Sequence, residues 1–151
     1  MENIKLLELL KHQDENLEAL LKTVLHKQKA IVSNDITEIE STTSEEEKLL
    51  LAVNQAEKLR AELLNDFYKK NSVKSNSFKL DDYLLIVGEQ LDIQQRAEIL
   101  NLQRKIKETT KEIIKVNQQN KYIIIQARTL LNEIVSAIFS ERNNSLLDRK
   151  V

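Results

Sequence analysis

The sequence contains no cysteine, no proline and no tryptophan, and Gly88 is its single glycine. Without cysteine there is no disulfide, thiolate nucleophile or cysteine-held metal, which suits a reducing compartment. Without proline, and with one glycine, almost nothing punctuates the chain, and long helices are favoured over sheets or short elements. Aromatic residues make up only 4%. A surplus of either charge is missing too: 23 Lys and Arg against 24 Asp and Glu leave a net charge of -1. That balance argues against a dedicated nucleic-acid binder, which carries a basic excess. No uninterrupted run of about 18 apolar residues occurs, so no membrane insertion is expected. Met1 to Lys11 carries Glu2 and Glu8 and no small-residue cleavage site, so a signal peptide is not expected and the cytoplasm is.

What is present is a hydrophobic pattern with a period near 3.5, in a chain that is 41% hydrophobic and 31% charged. This predicts an all-α fold: one domain over residues 1–151, an elongated antiparallel bundle or coiled coil of three long helices. The first helix is expected over about 2–32, where Leu7, Leu10, Leu17, Leu21, Val24 and Ile31 form a stripe, with Asp14 and Gln28 at the remaining seam positions. Ser33-Asn34-Asp35 interrupts it. Asn34 can adopt the left-handed conformation that closes a helix, and Asp35 with Glu38 three residues on resembles a capping box opening the next. The alternative at this point is a kink in one continuous helix.

The second helix is expected over about 36–68. Its seam carries two charges, Glu46 and Arg60, whose heads are expected to reach solvent at the edge of a thin bundle, rather than to pin the register of a neighbour. Residues 69–79 (KKNSVKSNSFK) read as a linker. The third helix is expected over about 80–141, either continuous or bent near residues 88 to 98 to give a fourth. Between Asp92 and Glu98 its stripe nearly vanishes and slips phase before Ile99, and Gly88 lies just upstream. Residues 142–151 are expected to be a frayed tail.

From Ile99 onward a heptad can be laid down unbroken. Its a row is Ile99, Ile106, Ile113, Asn120, Ala127 and Ile134; its d row is Leu102, Thr109, Val116, Ile123, Leu130 and Ala137. The e row is polar at Gln103, Thr110 and Asn117, then apolar at Ile124, Leu131 and Ile138, and Ile125, Val135 and Phe139 add to it. A narrow seam thus widens into a broad face. If the first two helices form a hairpin and the third starts beside its end, residues 80–111 cover the hairpin and residues 112–141 overhang. So apolar an overhang must fold back, dimerise or bind a partner.

Chemistry is sparse. His12 and His26 lie on one helix at a separation of about 21 Å along the axis, too far apart to share a metal. The carboxylates Glu45, Glu46 and Glu47 spread around a helix, and no phosphate-binding loop or hydrolase motif occurs. No enzyme and no cofactor is expected. Arg104, Lys105, Lys107, Lys111 and Lys115 form a basic run, but Glu108 and Glu112 interleave with it at ion-pair spacing, as in Glu108 with Lys111. A solvated helix face is expected there.

Taken together, Leu6-Leu7, Leu20-Leu21, Lys29, Ile31-Val32, Asp35, Ile39, Glu46, Leu49-Leu50, Glu57, Arg60 and Leu63-Leu64 resemble the FlgN family of flagellar export chaperones. Asn117-x-x-Asn120-x-x-Ile123-Ile124, followed by Leu130-Leu131 and Ile134, is similar to that family's Asn-x-x-Asn signature before its terminal apolar segment. The likeness spans roughly residues 6 to 139. It departs at Asn34, where a Gly often precedes the Asp, at Asn16, where an aromatic is common, and at Ala127-Arg128-Thr129.

The resemblance implies an ATP-independent cytoplasmic chaperone that holds hook-associated proteins by their helical termini before type III export, and presents them to the export apparatus. Carried onto this chain, the partner-binding residues would be Ile113, Val116, Asn120, Ile123, Ile124, Ala127, Leu130, Leu131, Ile134, Val135, Ile138 and Phe139. A monomer or weak dimer is expected, without nucleic acid. The competing expectation is a structural coiled coil that self-associates through the same helix.

Overall fold

The structure, a computed structural model, describes residues 2–74 and 79–148. Among them are four helices and no strand: α1 (Glu2–Val32), α2 (Ile36–Lys70), α3 (Leu80–Val87) and α4 (Ile93–Asp148). The fold is all-α. Helix α1 packs against both α2 and α4. Two apolar clusters give the directions. In the first, Leu6, Leu7 and Leu10 meet Leu64, Phe67 and Tyr68 of α2 and Ile99 and Leu102 of α4. In the second, Leu17, Leu20 and Val24 meet Ile113 and Val116. So α2 returns antiparallel to α1, and α4 climbs parallel to α1.

The hairpin tip is built by its polar residues. Asn34 has φ 54, and its N–H donates to the Ile31 carbonyl at 3.1 Å while the Asp35 N–H donates to the Ala30 carbonyl at 2.9 Å. That pair of bonds is a Schellman motif, which satisfies the last carbonyls of α1. The chain therefore reverses here; it does not kink. Asp35 then caps α2, its Oδ1 accepting from the Glu38 N–H at 3.1 Å. Only half of a capping box forms, because the Asp35 N–H is already used and the Glu38 carboxylate turns to His26 Nε2 at 3.2 Å.

A second Schellman motif closes α2. Ser72 has φ 53, with the Val73 N–H on the Tyr68 carbonyl at 2.9 Å and the Ser72 N–H on the Lys69 carbonyl at 3.3 Å. Helix α2 thus runs two residues beyond the expected end at Tyr68. Of the expected linker, residues 75–78 lie outside the described residues.

Helix α3 closes the base of the bundle. Leu80, Tyr83, Leu84 and Val87 are its buried face, at the spacing of an amphipathic helix. The Tyr83 hydroxyl donates to Asn3 Oδ1 at 2.6 Å, and its ring meets Phe67 edge-on at 5.0 Å. At Gly88 the chain turns so tightly that a Cβ would sit 2.5 Å from the Leu84 carbonyl oxygen, which is why this position has none. The third helix is thus broken between Val87 and Ile93, within residues 88 to 98 where a bend was expected.

That break corrects the expected coverage. Because α3 and its turn stay at the base, the climb along the hairpin starts at Ile93, not at Leu80. The hairpin therefore reaches further along the last helix, to Asn120 and beyond, and not to residue 111. At its far end α4 continues through Asp148, past the expected boundary at Glu141, since no Pro or Gly stops it there. The expectation for Glu46 is corrected too: its Oε2 accepts from Lys27 Nζ at 2.8 Å across the α1–α2 interface, with both side chains largely buried. Its spacing from Lys27 fixes the register of the hairpin. Arg60 pairs within α2 to Glu57.

Candidate functional site

Helix α4 has a covered half and a bare half. Through its a and d rows the covered half faces α1: Ile99, Leu102, Ile113, Val116 and Asn120 are all buried. At Asn120 the side-chain Nδ2 donates to the Val24 carbonyl at 3.1 Å, and next to it Gln28 Nε2 donates to Gln119 Oε1 at 3.2 Å. Asn120 Oδ1, also buried, has no hydrogen-bond partner among the described residues. These contacts set how far α4 extends past α1, which ends at Val32.

Ile113, Val116 and Asn120 therefore belong to the bundle. They are not open to a partner, because α1 occupies the face they share. Ile123 is half-buried beside the hairpin tip. Ile124, Ala127, Leu130, Leu131, Ile134, Val135, Ile138 and Phe139 are exposed, with Leu131 at 61% and Phe139 at 59%. Their arc covers about half the circumference of a helix. Ile125 lies at its margin and extends the apolar surface, and Tyr122 (64% exposed) stands on the opposite side of the helix. Bare apolar surface on this scale marks an interaction site. Covering it would contribute on the order of 1 kcal/mol for each large side chain, given that each is only partly exposed now.

The bare half does not fold back on the hairpin. Every described residue from Ile124 to Arg142 is exposed. Shallow grooves flank its root, one along Tyr122, Ile123, Gln126, Ala127 and Leu130, the other along Lys27, Asn120, Lys121, Ile124 and Arg128.

Helix α4 between Ile93 and Arg142 holds an 18-residue window long and apolar enough, by length and composition, to cross a membrane, and none of that window is buried. No uninterrupted apolar run underlies it; polar residues are interspersed along the helix. Its apolar residues lie on one side of the helix, the pattern of a face that lies against a surface.

Elsewhere the titratable groups are structural. Asp14 is buried between the two apolar clusters of α1, where burial first and Glu18 second raise its carboxyl above its ordinary value, with Lys105 opposing. Its Oδ1 and Gln13 Oε1 have no partner among the described residues. In the basic run Arg104 pairs with Glu108 at 3.2 Å and Lys115 with Glu112 at 3.6 Å, so Glu108 takes Arg104 where Lys111 was expected. His12 lies 3.6 Å from Glu15 on the surface of α1. Among the described residues no group of three or more His, Cys, Asp or Glu is placed to hold a metal.

Compared with known proteins, the chain matches the family model described as FlgN protein over residues 1–147. No curated protein and no solved structure matches it.

Proposed function

The chain belongs to the FlgN family of flagellar export chaperones, and from that premise we propose that the bare half of α4 is where it holds its clients. Those clients are hook-associated proteins, gripped by an amphipathic terminal helix. The client's apolar stripe buries against Ile124, Leu130, Leu131, Ile134 and Ile138, which hides a surface prone to aggregate and to polymerise before export. No bond is made or broken and no nucleotide is consumed; release comes when the export apparatus competes for the client. The setting is the cytoplasm.

One observation carries this reading: a wide apolar face starts where α1 ends and has no cover among the described residues. A single Asp at Ile124 or Leu131 puts a charge into the middle of that face and costs any complex several kcal/mol. Each variant is expected to lose binding to a purified hook-associated protein by at least about a hundredfold, while circular dichroism shows the bundle intact. Retained binding in both would move the site elsewhere.

The same bare face supports one other reading, a chain that pairs with its own copy. Light scattering separates the two. A client-free monomer that forms a complex with a hook-associated protein fits the chaperone; a dimer that ignores such proteins fits self-association.

A further inference from the structure

The bare stripe has two chemically different ends, and this bears on which way round an occupant lies. On the a row it is bounded by Asn120 at the hairpin and by Glu141 at the far end. Between them, from Ile123 to Ile138, is room for a helix of about sixteen residues, or roughly 24 Å. Charge is divided the same way. Lys121 and Arg128 flank the end next to the hairpin, both exposed and neither paired with a carboxylate among the described residues. Glu133 and Glu141 lie toward the far end, exposed and unpaired in the same sense, while Arg142 beside them already has a partner.

An α-helix is itself polar, with about half a positive charge at its N-terminus and half a negative charge at its C-terminus. Taking the client-binding role above as given, we infer that the occupant is an amphipathic helix of four to five turns lying antiparallel to α4, its C-terminal end at the hairpin tip. In that direction its carboxyl end, with any acidic residues or free carboxylate there, meets Lys121 and Arg128. Its N-terminal end meets Glu133 and Glu141. The reverse direction puts like charge against like at both ends. The a and d rows that hold α1 continue past Val32, so the occupant lies beyond α1 along α4, a position common to either direction; the charges alone choose between them.

Photo-crosslinking tests the direction. In the full chain, p-benzoylphenylalanine replaces Gln126 near the hairpin or Ser140 near the far end, both beside the stripe and not in it. Each variant is mixed with a purified hook-associated protein, irradiated, and the joined residues are read by mass spectrometry. The position-126 probe is expected to capture the C-terminal turn of the client helix, and the position-140 probe residues about fourteen positions upstream. The opposite order overturns the inferred direction and leaves the client-binding role standing. Binding without crosslinks at either position, or no binding by any hook-associated protein, overturns the role and the direction with it. As a second readout, Lys121→Glu with Arg128→Glu is expected to weaken binding about tenfold at low salt and much less at high salt. An unchanged affinity at low salt counts against the direction.

Discussion

The two halves of α4 share one heptad and end up with different surroundings. In the lower half the a and d residues are spent on α1, and the flanking e residues Gln103, Thr110 and Asn117 are polar because only a narrow seam is covered. In the upper half the seam continues, but α1 has ended at Val32, and the e residues Ile124, Leu131 and Ile138 are apolar. A difference in helix length, 31 residues against 56, thus divides one stripe into core and bare face. In the a row Asn120 marks the boundary, its bond to Val24 pinning the two helices there, and the change of the e row from polar to apolar marks it again.

Charge placed in the two halves should separate them most sharply. Ile113→Asp buries a carboxylate in the second apolar cluster and is expected to cost about 4 kcal/mol, enough to unfold much of the bundle in a urea titration. Leu131→Asp, on the same helix, should leave the urea midpoint nearly unchanged and remove client binding. If both variants unfold alike, the upper half is not independent of the bundle. A smaller effect sharpens the other boundary, at the base. Tyr83→Phe deletes the hydrogen bond to Asn3 and should cost about 1.5 kcal/mol with no effect on client affinity.

The smallest effect expected is a gain. Because the Asp14 carboxyl is raised in the folded state, the native protein binds its proton more tightly than the unfolded chain, and stability falls as pH rises from 3.8 through the raised value. Asp14→Leu should therefore be more stable than the natural chain at pH 7, by about 1 kcal/mol, and the gap should narrow in acid, where Asp14 is protonated. Urea titrations at the two pH values check it.

Much of this molecule was legible from spacing. The hairpin tip follows from Asn34 and Asp35, the broken third helix from Gly88 and the faltering stripe beside it, and the bare face from the e row. What was missed depends on contacts that the residue types do not announce. Ser72 in a left-handed turn looks like any other Ser, and only the bond from Val73 to Tyr68 makes it a cap. Glu46 reads as a solvent-facing charge until Lys27, on another helix, is known to lie opposite. Ile113, Val116 and Asn120, expected on the partner face, are covered by α1, because the climb begins at Ile93 and not at Leu80. A periodicity tells which residues share a face. It does not tell which neighbour reaches that face first.

The continuity of α4 has a thermodynamic consequence. An isolated helix must meet an unfavourable nucleation step before it can grow. Here the covered half, held by α1, provides a formed turn at Asn120 from which the bare half needs only to propagate. Two thermal events should follow: a sharp cooperative melt for the bundle and, below it, a gradual fraying from the free end. On the proposed role, a client would meet a shape already in place, and the ordering entropy that weakens binding by disordered segments would be reduced.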